Sequence, residues 1–169
     1  MFHSPTKGIP VAADALFDTI DQLRAAVDPG RFNTRSARRA SRKFLTRTLG
    51  MCGLGRRDYV VVQVLKVEYP ADEQHWDVNR IDHIKLRLAG VEMGAVVSWT
   101  KWSRASKSMR AAWEVTLNYQ GLTCSVLVPA NDRCEKFEID WNLWRPLREQ
   151  TIQNLQSFLA QVACLVVND

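Results

Sequence analysis

The chain has 169 residues, of which 46% are apolar and 24% charged, and its formal net charge is +5. A chain of this length and make-up forms one ordinary globular domain and buries roughly two thirds of its unfolded surface without a staple. Wholesale disorder, collagen and a coiled coil are excluded, and the apolar run Tyr59–Val67, broken by Gln63 and Lys66, is far short of a membrane span.

In chain order, residues 11–27 read as a helix. Val11, Ala15, Leu16, Ile20, Leu23 and Val27 recur every three or four residues, and Asp28-Pro29-Gly30 stops the pattern. Residues 34–49 read as a second helix with Thr34 as its cap. Ala37, Ala40, Ser41, Phe44, Thr48 and Leu49 fall on one side of it, and bases cover much of the rest. Gly50, Gly53 and Gly55 then predict a flexible joint ending in Arg56-Arg57. This glycine run lacks the lysine and hydroxyl of a phosphate loop.

From Tyr59 the period changes to two. Tyr59–Tyr69 is a valine-rich strand stopped by Pro70, and residues 71–80 read as a polar loop or short helix. Ile84–Leu88 and Ala95–Trp102 are the next strands, followed by a loop of Ser, Arg and Lys over Ser103–Arg110. Trp113–Tyr119 and Leu122–Val128 form a hairpin around Gln120-Gly121. Pro129–Arg133 reads as a loop and Phe137–Leu143 as a sixth strand. Pro146 suits the first turn of a final helix whose stripe is Leu147, Ile152, Leu155, Leu159, Val162 and Val166.

The fold class that follows is α+β. A helical basic N-terminal segment, residues 1–57, precedes a mostly antiparallel six-stranded sheet covered by a C-terminal helix, residues 58–169.

Charge is concentrated. Arg31, Arg35, Arg38, Arg39, Arg42, Lys43, Arg47, Arg56 and Arg57 lie within residues 31–57 without one acid, while the stretches on either side are mildly acidic. Like charges gathered so closely repel and give the chain's own fold nothing, so an anionic partner is the simplest compensation. Guanidiniums on one helical face fork onto phosphate oxygens, and displacing counterions from a polyanion supplies affinity. A smaller acid-free cluster, Lys101, Arg104, Lys107 and Arg110, is bordered by Trp99, Trp102 and Trp113. Trp102 is a candidate for stacking on a base, and Trp113 matches the core period of its strand.

The functional expectation is a non-enzymatic binding and assembly protein that docks on nucleic acid, RNA or DNA, through the basic helix. The layout suits a nucleic-acid-binding regulator or a small viral structural protein of capsid or matrix type. Two alternatives stand beside it. An anionic membrane could receive the same helix, with Phe44, Leu45 and Leu49 inserting. A metal-dependent hydrolase or nuclease could use the outward strand carboxylates Glu114, Glu138 and Asp140, or the group His75, Asp77, Asp82 and His83. No ligand motif, nucleophile elbow or cofactor signature supports that chemistry, and no cofactor is expected.

Cys52, Cys124, Cys134 and Cys164 form no Cys-x-x-Cys pair and read as reduced structural thiols. With no apolar core behind Met1–Gly8, no secretion signal is expected; the expected home is intracellular and cytoplasmic. Arg38–Arg47 also fits a nuclear-localisation cluster. Arg38-Arg39-Ala40-Ser41 has the form favoured by basophilic kinases, and a phosphate on Ser41 would cancel nearby positive charge. The apolar end Cys164–Val167 is read either as an oligomer contact or as packing on the sheet.

Overall fold

The computed structural model describes residues 30–69, 77–101, 111–131 and 138–168, with side chains described from residue 80 onward in the second of these stretches and up to residue 100. The expected helix at 11–27 lies outside the described residues.

Helix α1, Arg35–Thr48, begins where the sequence places it: Thr34 caps it, its Oγ1 accepting from the Ala37 N–H at 3.0 Å. A short 3-10 turn, Gly50–Cys52, follows. Leu49 and Cys52 are both buried, and the Thr46 Oγ1 lies 3.3 Å from the Tyr59 hydroxyl. The glycine-containing stretch, expected as a flexible joint, is thus a packed corner between α1 and the first strand.

Six strands follow: β1 (Tyr59–Glu68), β2 (Asp77–Leu88), β3 (Val91–Lys101), β4 (Ala112–Tyr119), β5 (Leu122–Asn131) and β6 (Glu138–Ile139). They form one antiparallel sheet in sequence order, a meander. Two of the hairpins turn through paired residues of positive φ, Ala89-Gly90 and Gln120-Gly121, the geometry whose twist matches that of the flanking strands. Glycine at the second position takes that conformation without a Cβ penalty. The free edge of β1 is interrupted by two register shifts, and the Val64 N–H is capped at 3.0 Å by the Asn33 side chain. Both features blunt pairing with another chain's strand.

Four element boundaries differ from expectation. β2 starts at Asp77 inside the expected polar loop, because residues 77–80 find ladder partners in Trp99–Lys101 of β3. β3 likewise begins earlier than expected, at Val91. β5 runs through Pro129 to Asn131; Pro129 cannot donate, but its carbonyl accepts from the Asp140 N–H at 2.9 Å. The sixth strand ends at Ile139, because Asp140 caps a helix. Its Oδ1 accepts from Leu143 N at 3.2 Å and its carbonyl from Trp144 N at 2.8 Å. Helix α2 therefore spans Trp141–Asn168, with Pro146 inside it instead of in its first turn.

One face of the sheet carries Ile84, Leu86, Met93, Val97, Val115, Leu117, Val126 and Val128, all buried. Leu45 and Leu49 of α1 and Trp144, Leu155, Phe158 and Val162 of α2 join the same core, so the two helices share that face. The opposite face bears Arg87, Glu92, Asn118, Thr123 and Ser125 in the open.

Among the described residues three polar side chains are buried: Ser41, Thr48 and Asp82. Thr48 is satisfied within its own helix by the Phe44 carbonyl at 2.9 Å. Ser41 and Asp82 satisfy each other across the core: the Ser41 hydroxyl donates to Asp82 Oδ2 at 2.5 Å, and Arg80 Nε donates to Oδ1 at 2.7 Å. Both carboxylate oxygens are thereby used at 0% exposure. Removing one member of a buried ionic set costs far more than replacing the set with matching apolar groups. Arg80→Ala should therefore destabilise the protein by about 3–5 kcal/mol, and Arg80→Met with Asp82→Leu by much less. Urea unfolding of the single and double variants checks this; equal losses would show that no buried charge is being stranded.

Candidate nucleic-acid interface

The exposed side of α1 follows from the register that buries Ser41, Leu45 and Thr48. Arg35, Arg39, Arg42 and Lys43, spaced at i, i+4, i+7 and i+8, fall on the opposite face and are all exposed. The first turn of the helix has no acidic residue and starts with Arg35. Positive charge at the positive end of a helix dipole is unfavourable by about 0.3–1 kcal/mol per group, so Arg35 opposes the stability of its own helix.

Not every base in the segment joins this row. Arg38 is spent on structure, one Nη donating to the Asn33 carbonyl at 2.8 Å and to its Oδ1 at 2.9 Å. The Arg47 guanidinium lies 5.4 Å from the centre of the Trp113 ring and that of Arg31 lies 4.9 Å from the Phe32 ring. Arg56 and Arg57 are exposed in the turn that leads into β1, beside the C-terminal end of α1 because Tyr59 touches Thr46. Among the described residues, ion pairs of the sheet engage Lys66, Arg80, His83, Lys85 and Arg87 with Glu68, Asp82 and Glu92; none reaches Arg35, Arg38, Arg39, Arg42, Lys43, Arg47, Arg56 or Arg57.

The second basic cluster falls largely outside the described residues: Trp102, Arg104, Lys107 and Arg110 belong to 102–110, and Lys101 is described only as the last backbone position of β3. Trp99 and Trp113 stand on the strands that bracket it. Their rings are 4.7 Å apart and buried, so both serve the core.

Sequence reading missed Arg80, Asp82 and Tyr69 as a unit. The Arg80 guanidinium sits 5.9 Å from the Phe44 ring and 5.7 Å from that of Tyr69, with its Nε on buried Asp82. The one signal in the sequence is an arginine on the core side of a strand beside an aspartate two residues on.

The acidic alternatives come apart. Asp140 is a helix cap, Glu138 is exposed on β6, and Glu114 is half-buried on the open face of β4, where burial raises its pKa. His83 lies 3.3 Å from Glu68 on that same face, whereas Asp82 is in the core; His75 and the side chain of Asp77 lie outside the described residues. Burial pushes Glu68 upward, but hydrogen bonds and charge from Lys66 and His83 outweigh it and hold the carboxyl below its ordinary value. Among the described residues, no group of three His, Cys, Asp or Glu could hold a metal ion. No helix among them is long and apolar enough to cross a membrane. Ser41, read as a kinase site, has its hydroxyl sealed in the core. Comparison with family models, curated proteins and solved structures gives no match.

The thiols separate by environment. Cys52 is buried, and burial pushes its pKa up to about 11, with Arg148 opposing weakly; Cys164 is exposed. The thiolate is the reactive form. Iodoacetamide at pH 8 should label Cys164 quickly and Cys52 only on unfolding, as peptide mass mapping would read. A thiol with a raised folded pKa contributes stability that is complete below its unfolded value and lost as pH rises through about 11.

Proposed function

We propose that this is a non-enzymatic binding and assembly protein that docks on nucleic acid through the exposed face of α1. The observation that carries the reading is the row Arg35, Arg39, Arg42 and Lys43, held outward by a helix whose other side is buried, with no carboxylate in ion-pair reach among the described residues. The row extends over i to i+8, about 12 Å of helix at 1.5 Å per residue, long enough to face more than one phosphate of a strand, whose charges recur about every 3.4 Å of duplex axis. Arginine dominates it, which favours forked contacts to phosphate oxygens over single point charges. The residues that an inserting helix would need are not on offer: Leu45 and Leu49 are at 0% exposure and Phe44 packs against the core. The same surface therefore offers an anionic membrane its charge alone.

Arg35, Arg39, Arg42 and Lys43 changed together to Gln should lower the slope of log K against log salt by about 0.7–0.9 for each phosphate no longer neutralised, whatever the base sequence. Arg38→Gln should leave that slope alone, since Arg38 serves the Asn33 turn. Salt titrations on single-stranded RNA, duplex RNA, duplex DNA and anionic vesicles read both effects. A quadruple variant with the wild-type slope, or a protein that binds vesicles but no nucleic acid at low salt, would overturn the proposal.

Assembly is supported by features at the other end of the chain. Residues 150–168 of α2 contain no Asp, Glu, Lys or Arg. Val166 and Val167 are exposed, the latter at 83%. A two-fold contact brings the same patch from both subunits together, so an uncharged patch meets itself without repulsion. Self-association through this end should be lost in Val166→Lys with Val167→Lys at unchanged helicity. Sedimentation of a wild-type protein that stays monomeric at high concentration would remove the contact.

A further inference from the structure

At the C-terminal end of β1, beside β2, stands an exposed ring that neither the core nor the helix row requires. Tyr69, just beyond β1, is 70% exposed. One guanidinium lies against its ring, that of Arg80, with 5.7 Å between charge centre and ring centroid. Arg80 is not a loose surface group: its side chain is 18% exposed, its Nε is bonded to buried Asp82, and Phe44 of α1 lies on it at 5.9 Å. Phe44 sits directly after Lys43 of the exposed row. The ring of Tyr69 is thus backed by a planar cation that the core holds fixed, at the flank of the basic helix.

We infer that Tyr69 is a stacking platform for an unpaired base of a single-stranded nucleic acid whose phosphates run along the exposed face of α1. The inference rests on the nucleic-acid reading of that face and deepens it by choosing single strands over duplex. Every base offers a π-face, and an exposed ring receives one only when the base is not already stacked inside a duplex. A fixed ring also loses less freedom on binding than a mobile one. Arg80 acts through Tyr69 as a positioning residue. With its charge balanced by Asp82, it adds rigidity to the platform and little long-range attraction.

The test uses the full chain and a 12-nucleotide single strand carrying one 2-aminopurine, whose fluorescence falls on stacking, with a duplex of the same length as control. Tyr69→Ala should weaken single-strand binding by about 5- to 150-fold, the range for one base–aromatic stack. It should abolish the quench at saturation and leave duplex binding and the salt slope unchanged. Tyr69→Phe and Tyr69→Trp should keep the quench, because the hydroxyl takes no part. Arg80→Lys, which keeps a charge against Asp82 but loses the plane, should reduce the quench at saturation with duplex binding intact. Wild-type affinity and quench in Tyr69→Ala would overturn the platform while leaving the helix row standing. Loss of all binding only in the quadruple glutamine variant would likewise remove the platform and keep the row, whereas a wild type that binds no nucleic acid would remove both readings.

Discussion

The arrangement depends on one buried carboxylate. Asp82 stands on the core side of β2, and it is tolerated there because Ser41 reaches it from α1 and Arg80 from its own strand. An aspartate left alone at that depth would cost several kcal/mol. Its Oδ2, bonded to Ser41, instead fixes the helix to the sheet at one rotational setting, while Oδ1 is balanced by Arg80 of the same strand. Apolar contacts alone, Leu45 and Leu49 against valines and leucines, are indifferent to modest rotation. A short hydrogen bond from Ser41 is not. Once Ser41 is pinned, the faces of a 3.6-residue helix are decided, and Arg35, Arg39, Arg42 and Lys43 can only point away.

That geometry separates two jobs within a single run of arginines. Arg38 closes the Asn33 turn and Arg47 covers the Trp113 ring, so these two belong to the scaffold. Among the described residues no carboxylate pairs with the outward row, and the row begins at the helix end where positive charge is least welcome. On the proposed reading an anionic partner offsets it. The sheet manages its own charges differently. Lys66 and His83 meet Glu68, and Lys85 and Arg87 meet Glu92, within and across neighbouring strands. Among the described residues the ion pairs thus gather on the sheet, and none lies on the outward face of α1.

Much of this was legible in the chain. The helix with its Thr34 cap, the hairpin at Gln120-Gly121 and the six strands follow from period and turn chemistry, and each is local. What stayed hidden was non-local. The pairing of residues 77–80 with β3 overrides a polar stretch that has no strand pattern of its own. Asp140 reads in the sequence as an outward strand residue, but burial of Trp144 and the cap hydrogen bonds decide for the helix. Ser41 and Asp82 are 41 residues apart, and nothing in either segment announces the other. For the same reason Ser41 read as a surface kinase motif: four residues describe a pattern, whereas burial is a property of the whole sheet.

A row of guanidiniums on an exposed helix recognises phosphate and carries no base information. Any preference for one form of nucleic acid has to come from groups that touch something other than phosphate. Among the described residues beside the row, Phe32 and Phe44 pack against the core and Trp99 and Trp113 are buried on each other, so the open aromatic surface there belongs to Tyr69. On the proposed reading, affinity and selectivity would therefore be borne by different physics at different residues. Charge on α1 would set how tightly a polyanion is held and would fall away with salt. The ring at the end of β1 would set which strands gain more, and stacking is far less sensitive to ionic strength. The buried Asp82 joins the two, because the same carboxylate that orients the helix through Ser41 also holds the guanidinium against that ring.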